Sequence, residues 1–335
     1  MKYREDTDKT KEVKQNYQRG FEELIDQRNK EFEAKRSEYS KNIFKNPDAY
    51  REDLKRMLGW PLVDSPTEEL PAVKLTELSR EDGYTIYRIT FQLLGTIEFT
   101  GLYFESDASK PLPLVIAEHG KFGTPERISG IYGETFNYND MLTRIKKQGV
   151  NVFAPQLLLW DEKYGVPFNR EETDARLKRV GSSVVAVELY CLSRTLDYFE
   201  AKGKASSFGM VGLSYGGFYT LLLSAIDTRI KSAISCSYFN TKDKVAFPDW
   251  CWDRSAERFD DAEIACLVYP RKLCIEIGTN DPLFDYRYGV RSYEKIKDLC
   301  KSVGTDWISF ITFDGNHEFC RDNEPIERLA EDLKD

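Results

Sequence analysis

The segment Gly212-Leu213-Ser214-Tyr215-Gly216 sets a serine between two glycines, where the apolar run FGMVGL gives way to a second one, FYTLLLSAI. This G-x-S-x-G spacing suits a strand, a tight turn and a helix. The turn holds Ser214 in a strained conformation with its hydroxyl pointing out, and the glycines let neighbouring backbone approach. A serine hydroxyl is a weak nucleophile in neutral water and needs a base, for which an imidazole with a pKa of about 6.5 is suited. The chain has only two histidines, His119 and His317. His317 sits in FDGNHEF, between the last apolar run and the closing segment NEPIERLAEDLKD. A third group must hold the imidazole in one tautomer. Asp281, in IEIGTNDPLF, lies between Ser214 and His317 along the chain, and Ser, Asp, His is the order expected of this arrangement. Asp285 is the reserve for that role and Asp314 a weaker one.

His119 belongs to IAEHGKFG, just past an earlier apolar run. An oxyanion needs two inward-pointing amides, one from the residue after the nucleophile and one from this loop. Those are assigned to Tyr215 and Lys121, with Phe122 as the alternative in the loop. His119 then shapes the loop and is not the base. The glycines here lack the G-x-x-x-x-G-K-[ST] spacing of a phosphate loop. Trp160, Trp250 and Trp252 are the candidate substrate-binding residues, since aromatic walls stack a sugar ring or pack an acyl chain. Trp250 and Trp252 fall in an aromatic, acidic stretch, 239–267, that reads as a cap.

Supporting elements follow from periodicity. Ile89, Phe91 and Leu93, then Ile97, Phe99 and Gly101, alternate with polar residues, which predicts two antiparallel strands joined near Gly95. Six short apolar runs follow, at 112–118, 152–158, 208–213, 230–237, 273–277 and 308–313, each reading as a strand buried on both faces. Val185, Leu189, Leu192, Leu196 and Phe199 recur at helical spacing before the third of them. Alternating strands and helices imply a mainly parallel sheet in the α/β class, with functional groups on loops after the strands.

The remainder bounds the function. Of the 335 residues, 41% are hydrophobic and 31% charged, as in a soluble globular protein, and a net charge of −8 argues against nucleic acid as a partner. No run is long and apolar enough to span a membrane, and the first residues lack the apolar core of a secretory signal, so a cytoplasmic location is expected. The seven cysteines have no metal-ligand spacing; neither metal nor cofactor is expected. Residues 1–60 read as a charged helical extension that docks on the main domain, 61–335, or on a second subunit, giving a homo-oligomer through these helices.

Together, HG after one strand, GLSYGG after another, TNDPLF after the next and GNHEF near the carboxyl end resemble the α/β-hydrolase superfamily over about residues 85–335. The closest likeness is to its dienelactone hydrolase and acetyl xylan esterase-like branch. That resemblance implies Ser214, Asp281 and His317 as a catalytic triad and an ester as the small-molecule substrate. Two departures stand out. The oxyanion loop reads HGKFG where many relatives carry a run of glycines, and a serine replaces the cysteine of dienelactone hydrolases proper. SYGG is also similar to the prolyl oligopeptidase catalytic domain, but the propeller of that group has no counterpart here. A non-catalytic binding protein on the same fold is the third alternative.

Overall fold

A computed structural model describes residues 4–60, 69–244 and 247–334. Among these residues nine strands form one sheet in the order β1-β2-β3-β5-β4-β6-β7-β8-β9. Strands β2 (Tyr84–Leu93) and β3 (Ile97–Ser106) are the two expected from alternation. They pair antiparallel, with Phe91 opposite Phe99 and Leu93 opposite Ile97. Leu94 and Gly95, both at positive φ (49° and 73°), make the turn between them. The six apolar runs are β4 (Leu114–Glu118), β5 (Asn151–Pro155), β6 (Phe208–Leu213), β7 (Ile230–Cys236), β8 (Lys272–Gly278) and β9 (Ile308–Phe313), all parallel to one another. Strand β1 (Ala72–Glu81) is an addition to this expectation: it pairs antiparallel with β2 at the sheet edge and is almost wholly exposed.

Helices cover both faces. On one face α2 (Pro47–Leu58), α6 (Val184–Ala201), α7 (Tyr215–Ile226) and α8 (Asp261–Cys266) share a core with Ile89, Phe91, Phe153 and Met210. The other face is closed by α4 (Met141–Lys146) and α10 (Glu324–Asp332), packed on Val115, Val211 and Ile234. Short α3 (Pro125–Ile128), α5 (Arg170–Arg179) and α9 (Tyr286–Leu299) complete the set. Among the described residues the amino-terminal α1 (Thr7–Tyr39) docks by its carboxyl end, where the buried Arg36 donates to the Ala256 carbonyl and lies 3.5–3.6 Å from Glu263 and Asp260.

The chain runs from β4 to β5 on one side of β4 and then crosses to β6 on its other side. That reversal opens a crevice at the carboxyl ends of β4 and β6, where an open α/β sheet binds its ligands. The loops that carry His119 and Ser214 leave from these two ends.

Candidate active site

Ser214 stands between β6 and α7 with φ 60° and ψ −119°, backbone angles a non-glycine residue adopts only under constraint. The constraint is visible. The Ser214 amide donates to the Cys236 carbonyl on β7 at 2.9 Å, and its carbonyl accepts from Phe218 at 2.9 Å. A Cβ on Gly212 would run into the Gly216 backbone, and one on Gly216 into the Glu118 backbone at the end of β4. The turn is therefore tight because three backbone segments meet there, and Ser214 remains 9% exposed.

His317 and Asp281 are brought together. His317 Nδ1 donates to Asp281 Oδ2 at 2.8 Å. The other carboxylate oxygen accepts from the amides of Leu283 (2.8 Å) and Phe284 (3.0 Å), so the acid is fixed by its own turn. With Nδ1 protonated, Nε2 is left as the basic nitrogen. The Phe284 ring stacks on the imidazole at 5.6 Å. Asp285 is instead engaged with Arg287, and Asp314 accepts from Asn280 at 2.9 Å.

The His317 loop is tied to the nucleophile side of the sheet. Ser237 Oγ donates to the Glu318 carbonyl at 3.1 Å, one residue past the Cys236 that accepts from Ser214. From across the crevice, Asn137 donates to the His317 carbonyl (3.1 Å) and Asn139 to the Phe319 carbonyl (2.7 Å). These asparagines were not singled out from sequence.

The loop after β4 lies directly on the elbow: a Cβ at Gly120 would come within 3.1 Å of the Ser214 Cβ. His119 is fully buried. Its Nε2 accepts from the Leu157 amide at 3.1 Å, which puts the proton on Nδ1 facing the Gly120 carbonyl at 2.8 Å. Burial pulls its pKa down to about 4, so it is a neutral strut for the loop. The Gly120 amide is spent on Tyr138 Oη (2.9 Å) and that of Phe122 on the Leu159 carbonyl (2.7 Å). Among the described residues the Lys121 amide has no acceptor. Tyr215, as the first residue of α7, has none within its helix. Of the two loop candidates, the Phe122 amide is thus already engaged and that of Lys121 is not.

Lys121, Tyr215 and Trp160 line one cleft of about 540 Å³ together with Phe168 and Arg170. Trp160 is held there by Nε1 donating to the Val166 carbonyl at 3.0 Å and by Phe168 against its ring. The other two tryptophans are not in this cleft. Trp250 is 2% exposed and stacks on Phe218 of α7, a packing position, because the apolar top of α7 needs a cover. Trp252 lies between Lys178 and Lys242, each about 5.7 Å from its ring.

Beneath the cleft is a buried ionic cluster with no counterpart in the sequence reading. Arg170 donates to Asp249 (2.7 Å), to Glu188 (3.1 Å) and to Tyr219 Oη (2.7 Å), and Tyr219 in turn donates to Glu188. Its one sequence signal is Glu188 itself, an acid on the helical face of the apolar stretch VVAVELYCL. Next to it Glu118 is fully buried, and burial together with the nearby Glu188 pushes its pKa well up. Among the described residues no cluster of side chains is arranged to hold a metal ion.

No known family profile matches the chain, and no curated relative does. Solved structures do. One from Bacteroides fragilis, assigned as an acetyl xylan esterase, matches with a TM-score of 0.64 at 17% identity, over 82% of this chain and 76% of that one. A glucuronoyl esterase from Solibacter usitatus matches with a TM-score of 0.60 at 15% identity, over 84% and 91%. A promiscuous CE15 esterase from a marine bacterial metagenome gives 0.61 at 15%, over 86% and 92%. With the mainly parallel sheet flanked by helices, these likenesses establish the α/β-hydrolase fold for this chain.

Proposed function

We propose that the protein is a serine hydrolase that cleaves a carboxylic ester of a small or medium-sized substrate, an acylated sugar among them, through an acyl-enzyme. The observation that carries this reading is the Ser214 turn at φ 60°, ψ −119° on the same rim of the sheet as the Asp281-His317 pair. Ser214 Oγ attacks the ester carbonyl while His317 Nε2 takes its proton. The amides of Tyr215 and Lys121, with the amino end of α7 behind them, hold the oxyanion. The protonated imidazole, steadied by Asp281, gives the proton to the leaving alcohol. Water then repeats the sequence and frees the acid. This route uses side chains and amides alone. The three structural neighbours described above are esterases, which supports an ester over a peptide, and the acetyl xylan and glucuronoyl esterases among them support a sugar ester.

Segment 239–267, of which residues 245–246 lie outside the described residues, acts in this reading as a cap, and Trp160 as the aromatic wall of the substrate cleft. The seven cysteines are all unpaired, which supports a reducing compartment such as the cytoplasm. No helix among the described residues is long and apolar enough to cross a membrane. A homo-oligomer through α1 belongs to the same proposal, supported by its exposed apolar side chains.

The test is fluorophosphonate labelling of the folded protein combined with turnover of p-nitrophenyl acetate, acetylated sugars and aminoacyl anilides. Labelling at Ser214, ester turnover, and a loss on the order of a million-fold in Ser214→Ala are expected. Preference for the anilides would favour a peptidase, and absence of labelling a binding protein.

A further inference from the structure

The buried cluster under the cleft has a geometry that its contribution to stability does not explain. Arg170, Glu188 and Asp249 are each at least nine-tenths buried. Well-packed apolar residues of similar volume would commonly serve the core as well as a desolvated ion cluster does. What sets this one apart is where its free valences go.

On one side the cluster grips both main-chain groups of a single residue. Glu188 Oε1 accepts from the Leu158 amide at 2.6 Å, and Arg170 donates to the Leu158 carbonyl at 3.1 Å. The residues on either side of Leu158 carry the loop after β4: the Leu157 amide donates to His119 Nε2 (3.1 Å), and the Leu159 carbonyl accepts from the Phe122 amide (2.7 Å). Lys121 is suspended between those two anchors. On the other side, Asp249 Oδ1 accepts from Tyr215 Oη at 3.0 Å, and the Arg170 guanidinium lies over the Tyr215 ring at 5.5 Å. One guanidinium is thus two links away from each of the two amides assigned to the oxyanion.

We propose that the Arg170-Glu188-Asp249 cluster is the positioning centre of the oxyanion hole, holding the Lys121 amide through Leu158 and the Tyr215 amide through Asp249. This rests on the serine-hydrolase reading above. The physical need is clear: two amides stabilise developing charge only if they already point at it, since a donor that must reorient during reaction returns much of its benefit. Lys121 sits on a loop and Tyr215 at a helix start, so neither is fixed by regular hydrogen bonding. A guanidinium supplies five donors in a rigid fork and can satisfy several acceptors at once, which an ammonium cannot. The three residues touch no reacting atom in this arrangement; they are positioning residues.

Arg170→Lys keeps the charge and loses the fork. Tyr215→Phe deletes one hydroxyl and cuts only the Asp249 link, leaving the amide in place. Each is compared with the parent for kcat and KM on p-nitrophenyl acetate, and for affinity towards an aryl trifluoromethyl ketone, whose adduct with Ser214 puts an oxyanion in the hole. In Arg170→Lys, kcat and ketone affinity should fall together by about ten- to a hundred-fold, with KM within about threefold of the parent. In Tyr215→Phe both should fall severalfold, again with KM held. If kcat and ketone affinity are unchanged in both folded variants, or if only KM rises, the inference is overturned and the cluster merely shapes the cleft wall. Should Arg170→Lys fail to fold, Tyr215→Phe decides by itself. A parent inert towards every ester removes the hydrolase reading and this inference with it; an active parent with indifferent variants removes the inference alone.

Discussion

Asp281 spends one oxygen on His317 and the other on two amides of its own turn. That geometry suits the orienting acid of the proposed triad, and it separates this residue from its rivals. Asp281→Asn, which would present an amide to Nδ1 and favour the wrong tautomer, is expected to lower kcat by about ten-thousand-fold. Asp285→Asn and Asp314→Asn should stay within about threefold of the parent in the same p-nitrophenyl acetate assay, since both side chains bond elsewhere. The order of the three residues along the chain was readable because each polar type follows an apolar run. The Arg170 cluster was not, because its members lie 18 and 79 residues apart and only folding makes them neighbours. A second residue-scale consequence concerns Glu276 on β8, 1% exposed, whose pKa burial pushes up from 4.5 to about 7. In the unfolded chain this carboxyl gives up its proton near 4.5, while in the folded protein it keeps it until about 7. Its stabilising effect is therefore complete below the lower value and lost as pH rises through the upper one, by up to about 3 kcal/mol. Glu276→Gln should be more stable than the parent at about pH 8 and gain nothing at about pH 4, read from urea unfolding midpoints.

The strands that build the site were legible because two periods are hard to confuse: alternation for β2 and β3, and unbroken apolar runs for β4 to β9. Strand β1 escaped because its sequence, AVKLTELSRE, is charged and lies exposed at an edge, where a sheet gains more from repelling neighbours than from burying side chains. Only Val73 on it is even partly covered. Trp250 and Trp252 read as binding residues because aromatic density in an irregular segment looks alike whether it faces a ligand or, as Trp250 does, packs on a helix. The contact between α7 and β4 shows how little room the elbow leaves. A methyl group on Gly216 would strike the Glu118 backbone, so Gly216→Ala must tilt α7 away from β4 and carry Ser214 with it. The expected cost is about 1–3 kcal/mol in urea unfolding, with a fall in kcat larger than the loss of folded protein explains.

At the scale of the whole molecule, α1 is the feature a single copy leaves unexplained. A helix of 33 residues is about 50 Å long, and among the described residues its contacts with the rest of the chain are concentrated in its last turns. Val13, Tyr17, Phe21, Leu24 and Ile25 are each at least half exposed, and all fall on one helical face. That face is nearly symmetric about Arg19: in an antiparallel pairing of two copies, Val13 meets Ile25 and Tyr17 meets Phe21. The charges agree with the same register. Residues 7–20 carry four cations and two acids, residues 21–34 two cations and five acids, so an antiparallel pairing lays each half against the oppositely charged half of the second copy. The expected outcome is a dimer by light scattering at micromolar concentration that Phe21→Lys converts to monomer with activity per chain on p-nitrophenyl acetate unchanged, because Phe21 is half exposed and lies outside the docked carboxyl end of α1. Lys14→Glu, which sets an acid in the cationic half of the helix, should weaken the dimer. A parent that is monomeric throughout that range, or a Phe21→Lys variant that stays dimeric, would leave α1 without this role.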